Sequence, residues 1–237
     1  MTDRATRDWN TFGETEPYFA VLTHDRFLSE QMSAADREAF FAFGEADIAQ
    51  IFDLIDIAPK SALDFGCGVG RLTSALVKRV DRVAGVDAAE SMLRIARENV
   101  PNATFSTAIP DERFDLIVSL LVFQHIPIRR GEALLGELLD HLDGVAALHF
   151  TFHRPGSFVR RIARKIRGRV PLVHRIAQLI RGERKLPYMQ MNEYDLDRVL
   201  AIMRSQGCAD PRIIRTNHRG LEFAIVIAER RSQSKTA

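Results

Sequence analysis

Apolar positions change their spacing twice along this chain. The first forty-odd residues scatter aromatics (Trp9, Phe12, Tyr18, Phe19, Phe27, Phe40, Phe41, Phe43) among charges. That pattern predicts short helices packed on something larger. From Gly44, residues Ile48, Ile51, Phe52 and Ile55 repeat at i, i+3, i+4, i+7, which is one buried helical face, and Pro59 marks its stop. Short apolar runs and helical spacings then alternate. Ser61 to Phe65 reads as a buried strand, Arg71 to Arg79 as a helix, Arg82 to Val86 as a strand and Ala89 to Val100 as a helix. Asn102 to Ser106 is a short strand and Phe114 to Leu121 a longer one, apolar enough to be buried on both faces. A helix follows between Ile128 and Asp143, then a strand from Val145 to Phe152. After a basic stretch the series resumes with a helix around Leu196 to Met203, closed by Gly207, and strands near 212–216 and 221–228.

Alternating strand and helix predicts an α/β fold with a mostly parallel sheet covered on both faces. The short turn at His218 to Gly220 makes the last two strands a hairpin, so one of them runs antiparallel to the rest. The expected organisation is one domain over 1–237. It has a Rossmann-like seven-stranded core (59–152 and 191–237), a helical N-terminal cap (1–58) and a helical lid inserted at 153–190.

Composition removes several alternatives. The chain has 237 residues, 46% hydrophobic and 27% charged, which supports a packed core and argues against disorder. The longest apolar run, Leu116 to Phe123, is too short to span a bilayer, and no secretory leader is visible at Met1 to Ala20. Two cysteines, Cys67 and Cys208, are too few for a disulfide framework or a Cys-rich zinc site. No His/Asp/Glu set has metal-ligand spacing, so no metal is expected. A cytoplasmic setting fits, with peripheral membrane association open.

The net charge of +2 hides an asymmetry. Of the 33 Lys and Arg, 11 lie between His153 and Leu186 beside a single acid, Glu183, leaving 22 bases and 30 acids elsewhere. The basic stretch reads as two short amphipathic helices broken at Gly168 and Pro171. Three roles compete: a lid whose arginines bind an anionic acceptor, a surface for an anionic membrane and a lipid-linked acceptor, or a solvated face. It holds one aromatic, Phe158, so platforms for base stacking are lacking and nucleic acid is not expected.

The chemistry concentrates in Leu63-Asp64-Phe65-Gly66-Cys67-Gly68-Val69-Gly70-Arg71. A glycine-rich turn between the first strand and first helix lets a ligand approach the backbone closely. Asp64, at the carboxyl end of its strand, can take a ligand ammonium. Asp87 ends the next strand, nineteen residues after Gly68, and can accept both hydroxyls of a ribose. An Asp there also occurs in NAD sites, so Asp87 alone does not discriminate. Cys67 reads as a small, snug turn residue within the loop.

Taken with Phe114-Asp115-Leu116-Ile117-Val118-Ser119 and Phe123-Gln124-His125-Ile126-Pro127, this loop resembles the class I S-adenosylmethionine-dependent methyltransferases. The resemblance implies a methyltransferase using S-adenosyl-L-methionine on a small-molecule acceptor, with oxygen preferred. Asp64, Gly66, Cys67, Gly68 and Gly70 would hold the amino-acid end of the cofactor, and Asp87 the ribose. Ala88 and Met92 would line an adenine face, Ser119 to Leu121 would lie under the sulfonium, and the Tyr18 hydroxyl could meet the cofactor carboxylate. The chain departs from many relatives after the third strand, where Ser106-Thr107-Ala108-Ile109-Pro110 holds no acid for the adenine amine. His125 is the first candidate for a general base and His153 the second; bracing of the loop is the competing role for His125. Asn192 and Tyr194 either orient the acceptor or pack and cap. A module that binds the cofactor without methyl transfer is the alternative function.

Overall fold

The computed structural model describes residues 4–152, 186–187, 189–218 and 221–230. Helices α1 (Arg4–Thr15), α2 (Pro17–Val21) and α3 (Ala34–Phe52) precede the sheet. The sheet then builds from β1 (Ser61–Phe65), β2 (Arg82–Val86), β3 (Thr104–Ser106), β4 (Phe114–Ser119) and β5 (Leu142–Thr151). Between them lie α4 (Thr73–Leu76), α5 (Glu90–Asn99) and α6 (Ile128–Asp140). The chain closes with α7 (Leu196–Ser205), β6 (Cys208–His218) and β7 (Leu221–Arg230).

The strand order is β3-β2-β1-β4-β5-β7-β6. The first five strands pair in parallel, β7 runs antiparallel to β5, and β6 runs antiparallel to β7. Order reverses between β1 and β4, which opens a crevice at the carboxyl ends of these central strands, where open α/β sheets take ligands. All five residues of β1 are buried, as expected for a strand covered on both faces. One face packs Leu63, Ile117 and Phe150 against Leu135, Leu139 and Met203 of α6 and α7. The other packs Leu116 and Val118 against Ile48, Ile51 and Leu76 of α3 and α4. A third cluster (Phe12, Phe27, Phe40, Val69, Met92) seats the N-terminal helices over the glycine-rich loop.

Local chemistry explains the boundaries. Ser33 and Asp36 form a capping box that starts α3, and Asp195 caps α7. Helix α3 stops at Phe52, short of the spacing that ran to Ile55; Ile55 is buried beyond its end. The helix expected over 71–79 is α-helical only at Thr73–Leu76, because Ala75 N–H bonds Leu72 O and Arg79 N–H bonds Leu76 O, tightening both ends into i→i+3 turns. Strand β6 is longer than its apolar pattern indicates. It is an edge strand carrying Arg212 and Arg215, and its register shifts at Asp210 (φ 25°) and Pro211, features that blunt an edge. The expected lid at 153–190 lies almost wholly outside the described residues. Among the described residues no helix is long and apolar enough to cross a membrane.

Candidate functional site

Strand β1 delivers the chain to its carboxyl tip at Phe65, where Gly66 and Cys67 both donate backbone N–H to Val86 O of β2, at 2.7 and 3.0 Å. The turn requires left-handed backbone. Gly66 sits at φ +77°, and a Cβ there would lie 2.3 Å from Val122 Cγ2. Gly68 has φ +54°, with Val21 of α2 pressed against it. Both positions thus demand glycine for conformation and for close approach.

Asp87, one residue past β2, holds this loop. Its Oδ2 accepts from Gly68 N–H at 3.0 Å and its Oδ1 from Ala89 N–H at 2.9 Å. Burial pushes its carboxyl above the usual range, and the two N–H bonds oppose that rise. Each oxygen retains a lone pair for a further donor. Asp64 is 1% exposed. Its Oδ2 accepts from the Thr73 hydroxyl at 2.6 Å, while Oδ1 is buried without a partner among the described residues. Burial raises its pKa to about 6, against the pull of Thr73 and Arg71.

The glycine loop and Asp87 border a cavity of about 420 Å³ at the crevice, a size ordinary for a small-molecule site, and Asp64 lies behind its wall at Phe65. Gly66, Gly68, Asp87, Ala88 and Met92 are on its wall, as are Leu120 to Val122 just beyond β4. Leu121 has φ +64°, a conformation uncommon for a non-glycine residue. After β3 the Ser106 hydroxyl donates to Ala108 O at 2.5 Å, and Thr107 and Ala108 line the cavity where an acid is missing.

The remaining expected residues are distributed unevenly. Gly70 packs against Val100 and Ala96 of the α5 end rather than on the cavity wall. Cys67 is buried beside Gly85, and burial drives its thiol pKa well up, which suits an inert turn residue. The Ser119 hydroxyl donates to Phe65 O at 2.9 Å, tying the tips of β4 and β1 together. The Tyr18 hydroxyl lies 3.4 Å from Asn99 Oδ1, and Asn99 in turn donates to Val69 O of the glycine loop at 2.8 Å. Tyr18 therefore braces the loop from outside the cavity. His153 lies outside the described residues.

His125 is on the cavity wall, with Trp9 of α1 packed edge-on at 5.0 Å between ring centroids. Its Nδ1 is 2.7 Å from Gln190 O, so Nδ1 carries the proton and donates. Its Nε2 then accepts from the Gln124 amide at 3.1 Å. Gln124 Oε1 accepts from Thr151 at 3.0 Å, and Asn192 donates its side chain and backbone N–H to Gln124 O at 3.1 and 2.7 Å. Burial lowers the His125 pKa to about 4, so the ring is neutral near pH 7 with both nitrogens engaged. Tyr194 donates to Ile126 O at 2.9 Å from a buried position against Gly131, so it packs the loop after β4. Among the described residues no cluster of His, Cys, Asp and Glu could hold a metal ion.

Two features escape the sequence pattern. Arg71 is 2% exposed, is on the cavity wall and pairs with Asp47 Oδ2 at 2.5 Å. Its place directly after the third glycine was the available signal. Gln124, hub of the network above, had only its adjacency to His125.

Comparison with known proteins agrees with this geometry. Residues 62–144 match the family model described as a methyltransferase domain. A trans-aconitate 2-methyltransferase of Azoarcus sp. is 34% identical over 130 residues, covering 49% of this chain and 51% of that protein. That of Rhizobium rhizogenes is 40% identical over 73 residues, 28% of each chain. The matches thus span about half, or less, of these curated relatives. Among solved structures, magnesium protoporphyrin IX methyltransferase from Synechocystis PCC 6803 with bound SAH aligns with a TM-score of 0.65 at 19% identity, covering 95% of this chain and 97% of that one. SAM-bound CalS10, an amino pentose methyltransferase from Micromonospora echinaspora, aligns with a TM-score of 0.55 at 16% identity over 80% and 91%. About a third of the chain thus matches a methyltransferase domain, and its fold is shared with structures of S-adenosylmethionine-dependent methyltransferases.

Proposed function

We propose that this protein transfers the methyl group of S-adenosylmethionine to an oxygen of a small acidic acceptor, with a carboxylate as the reacting group. The observation that carries the cofactor assignment is the pair of aspartates at neighbouring strand tips, Asp64 buried with an oxygen unpartnered among the described residues and Asp87 half-buried on the cavity wall. The residues fit the group. Asp64 Oδ1 is an orphaned acceptor suited to an ammonium, Asp87 suits two ribose hydroxyls, and the loop at Gly66 and Gly68 leaves no room for a side chain.

When bound, S-adenosylmethionine supplies an electrophilic methyl group on a positively charged sulfur. The chain's task is then to hold donor and acceptor in line and to exclude water. Trp9, Leu120 to Val122 and Ile126 give the cavity an apolar wall for that purpose. A hydroxyl acceptor also needs a base. His125, with Nδ1 donated to Gln190 and Nε2 occupied by Gln124, is poorly placed to be one. A carboxylate is already anionic at neutral pH and needs no proton removed. The curated relatives' name, trans-aconitate 2-methyltransferase, supports the same acceptor class.

The test incubates the full chain with methyl-labelled cofactor and a panel of small di- and tricarboxylates, phenols and amino sugars. The expected product is a methyl ester, whose label mild alkali releases as methanol. An alkali-stable product would overturn the carboxylate assignment. Cofactor bound but never consumed on any acceptor would instead favour a binding module.

A further inference from the structure

The cavity is closed at one end and open at the other. Around the glycine loop its wall is covered: Val21 of α2 presses on Gly68, Gly44 of α3 packs on Arg71, and Met92 is 1% exposed. At the β3 tip and along α6 the wall residues Thr107, Ala108, Arg130 and Glu137 are all exposed. Residues that both line a cavity and face solvent mark its mouth.

The fold explains why the opening falls there. Strands β1, β2 and β4 each lead to the next strand through a helix, whereas β3 leads to β4 through residues 107–113, none of them helical. Helix α6 therefore turns a stripe at i, i+4, i+7 (Arg130, Leu134, Glu137) to the cavity with no helix from that connection over it. Ile109 and Leu134 pack partly buried against the core and give the mouth an apolar lining. The Ser106 hydroxyl is engaged by Ala108 O, and Glu137, the acid on this part of the wall, is solvated. A solvated carboxylate discriminates weakly among donors, because water competes for both partners.

Strand order fixes which part of a ligand reaches this mouth. Under the cofactor reading the amino-acid end is at the β1 tip and the ribose at the β2 tip. The base leaves the sugar on the side away from the amino-acid chain, and the strand beyond β2 is β3. We propose that the β3 end takes a purine with its outer, amine-bearing edge in solvent, so that the site accepts nucleosides enlarged or altered on that edge. This rests on the cofactor reading above and adds a selectivity which that reading does not fix.

The test measures binding of three ligands to the full chain by calorimetry: S-adenosylhomocysteine, its N6-benzyl derivative, and S-inosylhomocysteine, in which a keto oxygen replaces the exocyclic amine. The native chain should bind all three within about 10-fold of one another, the most that a solvent-exposed hydrogen bond supplies. A site built to hydrogen-bond the amine would reject the keto analogue by orders of magnitude. Ala108→Phe, at an exposed loop position, narrows the mouth and should lower the affinity for the benzyl ligand relative to its parent by about 10-fold. Leu134→Trp should do the same from the α6 side. Native chain that prefers S-adenosylhomocysteine to either analogue by more than about 10-fold overturns this inference and leaves the cofactor reading intact. If Glu137→Gln erases such a preference for the amine, that carboxylate reads the base and the proposal falls. A benzyl-to-parent ratio unmoved in both narrowed variants also overturns it, because the substituent then leaves by another path. Native chain that binds none of the three overturns both readings.

Discussion

Around the glycine loop, Asp64 and Arg71 are each buried with one polar atom unpartnered among the described residues, while at the β4–α6 end Gln124, His125, Thr151 and Asn192 bond one another. Native interiors rarely leave buried polar atoms unpaired, and under the proposed function a bound cofactor supplies the partners at the first end. The second end needs none. Its network locks the Gln124–His125 segment to β5 and to residues 190–194, giving the acceptor a rigid wall. The two ends thus differ in what the fold leaves unsatisfied rather than in residue type. His125, though beside the cavity, has both ring nitrogens engaged within the chain.

The contrast can be broken most forcefully at Asp87. Replacing it by Ala removes the acceptor for both hydroxyls and the clamp on Gly68, and should weaken S-adenosylhomocysteine binding about 100-fold or more. Circular dichroism should confirm retained fold, and unchanged affinity would break the assignment of this end. Gly66→Ala forces a Cβ into Val122 at φ +77°, and should lower stability by about 1–3 kcal/mol, read as a lower melting temperature.

A pH titration sharpens the comparison further. The folded, ligand-free carboxyl of Asp64 titrates near pH 6, above its ordinary value of 3.8. Only the ionised form receives an ammonium, so affinity should fall about 10-fold per unit as pH drops below 6. Asp64→Asn should bind weakly with that slope gone. For the free protein the sign is opposite: the folded state holds the extra proton between about pH 4 and 6, so the Asp64 contribution to stability declines as pH rises through that window. The smallest effect belongs to His125. Its ring stays neutral down to about pH 4, so His125→Asn should reduce kcat by about 10-fold or less and leave the kcat profile between pH 5 and 8 unchanged in shape. Loss of a limb near pH 6.5 would make it a base and erase the contrast.

Much of the first end was legible in the chain. Asp64, the glycines and Asp87 declare themselves because strand ends and tight turns restrict which residues serve there. The sheet was legible for the same reason, since two-sided burial leaves unbroken apolar runs such as Phe114 to Ser119. Strand β6 was less so: its edge position lets charged residues into a paired strand, and pattern alone reads those as loop. The second end was hardest. Gln124 reaches Thr151, and His125 reaches Gln190, across 27 and 65 residues of sequence, and no local spacing announces such bonds. Arg71 sat in plain view after Gly70, but its burial follows from α3 packing over it at Gly44, which no local pattern announces.

Calorimetric titration of the full chain with S-adenosylhomocysteine, run in parallel on Asp87→Ala and against NAD, tests the central assignment most directly. The account predicts saturable one-to-one binding by the native chain, a large loss in the variant and no heat with NAD. Absence of binding by the native chain, equal binding by the variant, or a preference for NAD would contradict it.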